Sequence, residues 1–329
     1  DDEGDFWGGN LYSNAATDHR SPSRSYLAVN YVQSEGTTAP NYELASYITY
    51  DKEYRTLQIK NNNYDLTTYG NGFRGIGQGY MYNGITKTDA PTKLRALRLG
   101  DQETKVKVKL VALEGNNASV SYRRSINEYN NDKYFVRQAG LFPQLYGLSS
   151  TVNYTVQNLT VTGTVQSNVE RTSTARKYGT IFGVIFASTG YSTAKNVTFK
   201  NVNVGENSLL SGGEYAGGIY ACDQWTHIGL NFYNCNVNGL TIEKARWAGG
   251  FSGLLEDDKV ATTVDIKDAG MNTINNIVIK TRDTASAQYE GGLFGQVKSA
   301  LLTVTGVKVK DSSILPYSCS EKNNASQSY

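Results

Sequence analysis

The chain has 329 residues, with 32 basic and 30 acidic side chains and a formal net charge of +2. Charge so nearly balanced provides no drive toward nucleic acid or an acidic membrane surface. Two histidines and two methionines leave little material for metal or acid–base chemistry, while 33 glycines and 24 tyrosines point to an ordered protein of strands and tight turns.

The first residues, Asp1-Asp2-Glu3-Gly4, carry no basic or apolar leader and read as a processed form or an excised piece, which leaves export open. Residues 1–137 hold strand-like stretches, clearest at Lys105–Val111, where lysine and apolar residues alternate as in a half-buried strand. Arg123 and Arg124 join those lysines as a solvated face that blunts an edge, not as a nucleic-acid site. Gly75-Ile-Gly-Gln-Gly79 lacks the spacing of a phosphate-binding loop. The expectation for 1–137 is a β-rich cap with the first irregular rungs of a longer array.

From residue 138 a glycine–hydrophobic box recurs five times. It reads Ala139-Gly-Leu-Phe-Pro143, Gly179-Thr-Ile-Phe-Gly183, Gly217-Gly-Ile-Tyr-Ala221, Gly249-Gly-Phe-Ser-Gly253 and Gly291-Gly-Leu-Phe-Gly295, spaced about 32 to 42 residues apart. After each box comes Asn, a hydrophobic residue, any residue and another hydrophobic residue. The copies begin at Asn158, Asn196, Asn234 and Asn276, with Gly306 in the fifth. Alternation in this segment turns one face inward at the period of a strand, and such a face is buried only by stacking copies on one another. Gly140, Gly179, Gly218, Gly250 and Gly292 are therefore expected at corners, where a β-branched substitution is disruptive. Asn158, Asn196, Asn234 and Asn276 are expected at one shared turn, because asparagine tolerates left-handed geometry. The fold class expected is all-β, a parallel β-helix or solenoid, with about five repeats over 138–315. Residues 316–329 are a polar tail or a junction.

Gly291-Gly-Leu-Phe-Gly295 followed by an Asn-Val-x-Val strand resembles the GLUG-type glycine-rich repeat, and Gly72-Phe-Arg-Gly-Ile-Gly77 resembles a block placed ahead of such repeats. The likeness covers about 138–315, with Pro143 and Gly306 as departures at the two ends. It implies a large, modular, secreted or wall-anchored bacterial surface protein with adhesive duties. It transfers no catalytic residue.

Candidate chemistry is sparse. Glu256, Asp257, Asp258, Asp265 and Asp268 form the best enzyme-like cluster, but they sit in the longest insertion, where charge is simply solvated. Cys222, Asp223, His227 and Cys235 match no metal-ligand spacing. Cys235 aligns with Leu159, Val197 and Ile277 and reads as a small buried hydrophobe, while a Cys222–Cys235 disulfide stays open. The longest apolar run, Ile181–Ala187, is far short of the ~20 residues a membrane helix needs.

The function read from these features is a non-enzymatic extracellular module with no cofactor and no metal. It binds a host glycoprotein of mucin or immunoglobulin kind, or a glycan. Trp225, Trp247, Asp223, Tyr215 and Tyr289 are the candidate contact residues, since aromatic side chains give large amphipathic contact area at low entropy cost. The alternatives are a solenoid subunit that stacks end to end into a filament or serves as a spacer, and a carbohydrate-active β-helix enzyme using the 254–270 insertion.

Overall fold

The computed structural model describes residues 48–51, 56–67, 81–82, 97–99, 112–126, 135–136, 138–147, 153–167, 181–189, 196–224, 229–256, 262–267, 272–281, 289–298, 300–304 and 306–315. Every regular element among them is a strand. The chain winds as a coil whose strands fall into five columns, each strand pairing in parallel with its equivalents in neighbouring coils. The first column holds Gln138–Ala139, Ile181–Gly183, Tyr215–Gly217, Trp247–Gly249 and Tyr289–Gly291. The second holds Phe142–Gly147, Phe186–Thr189, Tyr220–Gln224, Ser252–Glu256 and Phe294–Lys298.

Three further columns are joined into one 16-stranded sheet by the long strands Ala112–Ile126 and Asn153–Ser167, each of which runs through several of them. The third column continues through Gly229–Tyr233, Thr262–Lys267 and Ala300–Val304. The fourth runs through Asn236–Asn238, Asn272–Asn275 and Val307–Lys310. The fifth runs through Ser208–Ser211, Leu240–Ala245, Val278–Thr281 and Ser313–Leu315. This is a parallel β-helix. Its ladders cross residue 137: Leu97–Leu99 extends the second column, while Thr56–Ile59 and Asn63–Asp65 add to the third and fourth. At the outer edge Ile48–Asp51 pairs antiparallel with Thr56–Ile59, which ends the parallel stack there.

The core follows from alternation. Val197, Phe199, Leu230 and Phe232 turn inward from the third column, and all are buried. Parallel register places like positions of successive coils side by side, so aromatic residues stack: Phe199 and Phe232 have ring centroids 5.2 Å apart, and Phe142 and Phe186 5.0 Å.

The register corrects the repeat alignment at several positions. Asn158 and Asn234 do share one corner, with φ of 57° and 50°, but their partner in the intervening coil is Asn201, at φ 53°. Asn196 instead opens the third-column strand and pairs with Asn153 and Gly229. Asn276 turns a different corner, between the fourth and fifth columns. Cys235 accordingly shares its position with Leu159 and Val202, not with Val197 or Ile277.

The glycine corner lies between the first and second columns. Gly183, Gly217, Gly249 and Gly291 occupy one position in it. Gly218, Gly250 and Gly292 follow as the second residue of a pair, whereas Gly140 aligns with the first. The second box is thus Gly183-Val-Ile-Phe186, four residues later than its first glycine, Gly179, which lies outside the described residues. A Cβ at Gly218 would lie 2.5 Å from the Gly250 carbonyl oxygen, and one at Gly250 2.4 Å from that of Gly292. The constraint comes from the next coil. Among the described residues a Cβ at Gly292 meets Val309 alone, at 3.8 Å, so against them this corner has room for a side chain, contrary to the sensitivity expected there.

Candidate functional site

Three of the five residues singled out as contact residues stand in one column. Tyr215, Trp247 and Tyr289 are in direct register on the outward side of the first-column strands. Their rings stack, Tyr215 to Trp247 at 4.6 Å with 19° between planes, and Trp247 to Tyr289 at 5.5 Å with 11°. The Arg246 guanidinium lies 4.2 Å from the Trp247 ring centroid, a cation–π geometry. The Trp247 indole N–H donates to Gln296 Oε1 at 2.7 Å, and Arg246 stands 3.8 Å from Glu214. Ile181, Ala187, Ala221, Cys222 and Leu254 complete this second apolar cluster, outside the main core.

The arrangement divides the rings by role. Trp247 is only 8% exposed, with Tyr215 on one side and Tyr289 on the other, so its faces are taken. Tyr215 and Tyr289 are half-buried. Tyr289 closes the column in the last described coil, with Trp247 on one face of its ring. Trp225 lies outside the described residues. Asp223 sits in the second-column strand, its backbone paired with Thr189 and Leu255.

Among the described residues no group of three or more His, Cys, Asp or Glu converges on one point. Asp257, Asp258, Asp268, His19 and His227 lie outside them. Cys222 and Cys235 are both buried, in different apolar clusters, and no disulfide joins them. The Cys235 thiol donates to the Phe199 carbonyl at 3.3 Å, and burial pushes its pKa up to about 12.

The fourth column carries a surface that the glycine boxes did not point to. Four of its strands read polar–aliphatic–polar: Ser119-Val-Ser121, Thr160-Val-Thr162, Asn236-Val-Asn238 and Thr273-Ile-Asn275. The middle residue is buried and the two polar ones look outward. In the later coils the outward amides bond along the stack, Asn236 to Asn203 at 2.8 Å and Asn275 to Asn238 at 3.0 Å. In the earlier coils smaller serines take these places, and a concavity of about 310 Å³ opens over them, lined by Asn63, Asp65, Ser119, Ser121, Thr160 and Thr162. The signal was present as a polar–Val–polar triplet recurring at the period of the coil.

The fold and these two surfaces define a parallel β-helix with outward aromatic and polar ladders. The chain matches no family model, no curated protein and no solved structure.

Proposed function

We propose that this chain is a non-enzymatic binding module of an extracellular bacterial surface protein, adhesin-like, whose partner is a host glycoprotein of mucin or immunoglobulin kind, or a glycan. The observation that carries this reading is the Tyr215–Trp247–Tyr289 column. Trp247 is fixed between its neighbours and by Gln296, so Tyr289 is presented on a rigid support, half-exposed at the column's end. Rigid, amphipathic rings lose little entropy on binding, which makes them effective anchors. The glycine boxes add the likeness to GLUG-type repeats, and with it the extracellular setting.

The test is a pull-down from host secretions together with a glycan array, comparing the unmodified chain with Tyr289→Ala. Saturable capture that Tyr289→Ala weakens tenfold or more supports the reading. Capture unaffected by Tyr289→Ala and by Tyr215→Ala removes the aromatic column from it.

A specific observation favours a second reading, end-to-end assembly. In the last described coil Leu293, Phe294, Val297, Val307 and Ile314 are core residues left half-buried, and Val309 and Leu315 are 53% and 48% exposed. Such a rung is suited to accept another. Light scattering decides between them: elongated particles favour the filament, and monodisperse monomers the binding module.

A further inference from the structure

We infer that the concavity over Ser119 and Ser121 is a binding site for a neutral sugar, about one pyranose ring wide. It rests on reading the chain as a binding module, but it uses a different face from the aromatic column.

The groove is made by side-chain size. Asn63 and Asp65 pair with Ser119 and Ser121, which pair in turn with Thr160 and Thr162. Strands in one sheet lie about 4.8 Å apart, so the outer two of these three stand roughly 10 Å from each other. The central strand carries only serines, and a trough runs along it between two taller walls. Beneath it Val120 is buried, so the floor is firm.

The two walls differ in chemistry. On one side Asp65 accepts from the Thr67 hydroxyl at 2.5 Å and from the Thr67 amide at 3.0 Å, both through Oδ1. These bonds hold the carboxyl below its ordinary range and fix it in place, with Oδ2 left to accept. The exposed Asn63 amide stands beside it, offering donor and acceptor together. On the floor the Ser121 hydroxyl reaches the Tyr64 carbonyl at a long 3.4 Å. On the far wall the hydroxyls lean away: Thr160 accepts from Asn203 at 3.5 Å, and the Thr162 Oγ1 occupies the space where a Cβ on Gly205 would fall, 2.3 Å from it.

A trough with one strongly hydrogen-bonding wall, a hydroxyl floor and a less polar opposite wall matches a molecule that has hydroxyls on its rim and C–H bonds on its face. That molecule is a pyranose. Its vicinal hydroxyls both donate and accept, as Asp65 and Asn63 require. Among the described lining residues the one formal charge, on Asp65, is negative, which disfavours phosphate, sulfated or sialylated ligands.

The experiment titrates the full chain with neutral gluco-, galacto- and manno-oligosaccharides, and in parallel with sialylated and sulfated ones, by saturation-transfer NMR and calorimetry. Neutral sugars are expected to bind. Ser119→Val, which fills the trough with a residue that suits a strand, and Asp65→Asn, which removes the charge while keeping the shape, should each weaken them about tenfold or more. Lys280→Ala, at an exposed position in a coil remote from the trough, should leave sugar affinity unchanged. Circular dichroism confirms that each variant is folded, and Asp65→Asn serves if Ser119→Val is not. Absence of binding by every neutral sugar overturns the proposal, as does preference for acidic sugars. Sugar binding lost in Tyr289→Ala but kept in Ser119→Val and Asp65→Asn also overturns it, while leaving the aromatic column standing as the recognition surface.

Discussion

The side-chain amide of Asn201 donates to Asn158 Oδ1 at 2.8 Å, across 43 residues of sequence. It accepts in turn from Asn234 at 2.7 Å, and Asn158 donates to Glu114 at 3.0 Å. Four coils are thus tied by one directional chain of hydrogen bonds that starts on a carboxylate. Each asparagine has positive φ, between 50° and 57°, so the same residue type meets the backbone and the side-chain requirement together.

Asn201→Ala breaks both at once, and the expected loss is about 2–3 kcal/mol of unfolding free energy. Asn201→Gly relieves the backbone and forfeits only the amide chain, so it should cost about 1 kcal/mol less. Urea unfolding followed by circular dichroism measures the difference. Equal losses for the two variants would show that left-handed geometry contributes nothing at this corner.

The glycine corner makes a graded prediction. Valine at Gly218 or Gly250 drives a side chain into the carbonyl of the following coil and should destabilise by more than about 4 kcal/mol, or prevent folding. Valine at Gly292 has room, and a change within about 1 kcal/mol is expected. Soluble yield and thermal melting of the three variants provide the check. A collapse at Gly292 matching that at Gly250 would require another coil to be packed against it.

These two corners show what the sequence made legible. The parallel β-helix followed from five glycine boxes and alternating strands, because stacking is the one way such faces are buried. Register was harder to read, for a physical reason. Asn196-Val-Thr-Phe199 and Asn201-Val-Asn-Val204 are both Asn–hydrophobic–x–hydrophobic segments, five residues apart in one coil, and they form two consecutive columns. A pattern search keeps the first and skips the second. The ladder that runs through Asn201 is visible only once the strands are side by side. Tyr215, Trp247 and Tyr289 were each recognisable as aromatic residues near a box, but their stacking depends on register too. The serine trough depends on a difference in size between neighbouring coils, which no single triplet reveals.

Cys235 tests the corrected register. Its neighbours in the column are Val202, buried and aliphatic, and Asn272, whose buried Oδ1 accepts from the Cys235 backbone N–H at 2.8 Å; Cys235→Val keeps that backbone bond and should be tolerated within about 1.5 kcal/mol. Cys235→Asp places an unpaired carboxylate among them and should abolish folding. Because burial holds the thiol neutral well above pH 8, iodoacetamide mapped by mass spectrometry should label Cys235 only after denaturation. Rapid native labelling would place the residue at the surface instead.

Glu290 supplies the pH dependence. It takes the register position of Ala248, which follows Ala216 and Phe182, all three of them core residues. A carboxyl group therefore stands where the other coils have hydrocarbon, and its Oε1 is buried with no hydrogen-bond partner. Desolvation raises its pKa from 4.5 to about 7. A folded-state pKa above the unfolded one means that the folded chain holds the proton more tightly. Stability from this group is therefore complete below pH 4.5 and is lost as pH rises toward 7. Glu290→Gln removes the titration but keeps the shape. Against the unmodified chain it should show a stability advantage that is largest above pH 7 and shrinks as pH falls through this window. Unfolding free energies for both chains between pH 4 and pH 8 provide the comparison. Parallel curves across that range would mean that the Glu290 carboxylate is solvated, and that the last described coil leaves this position open to water.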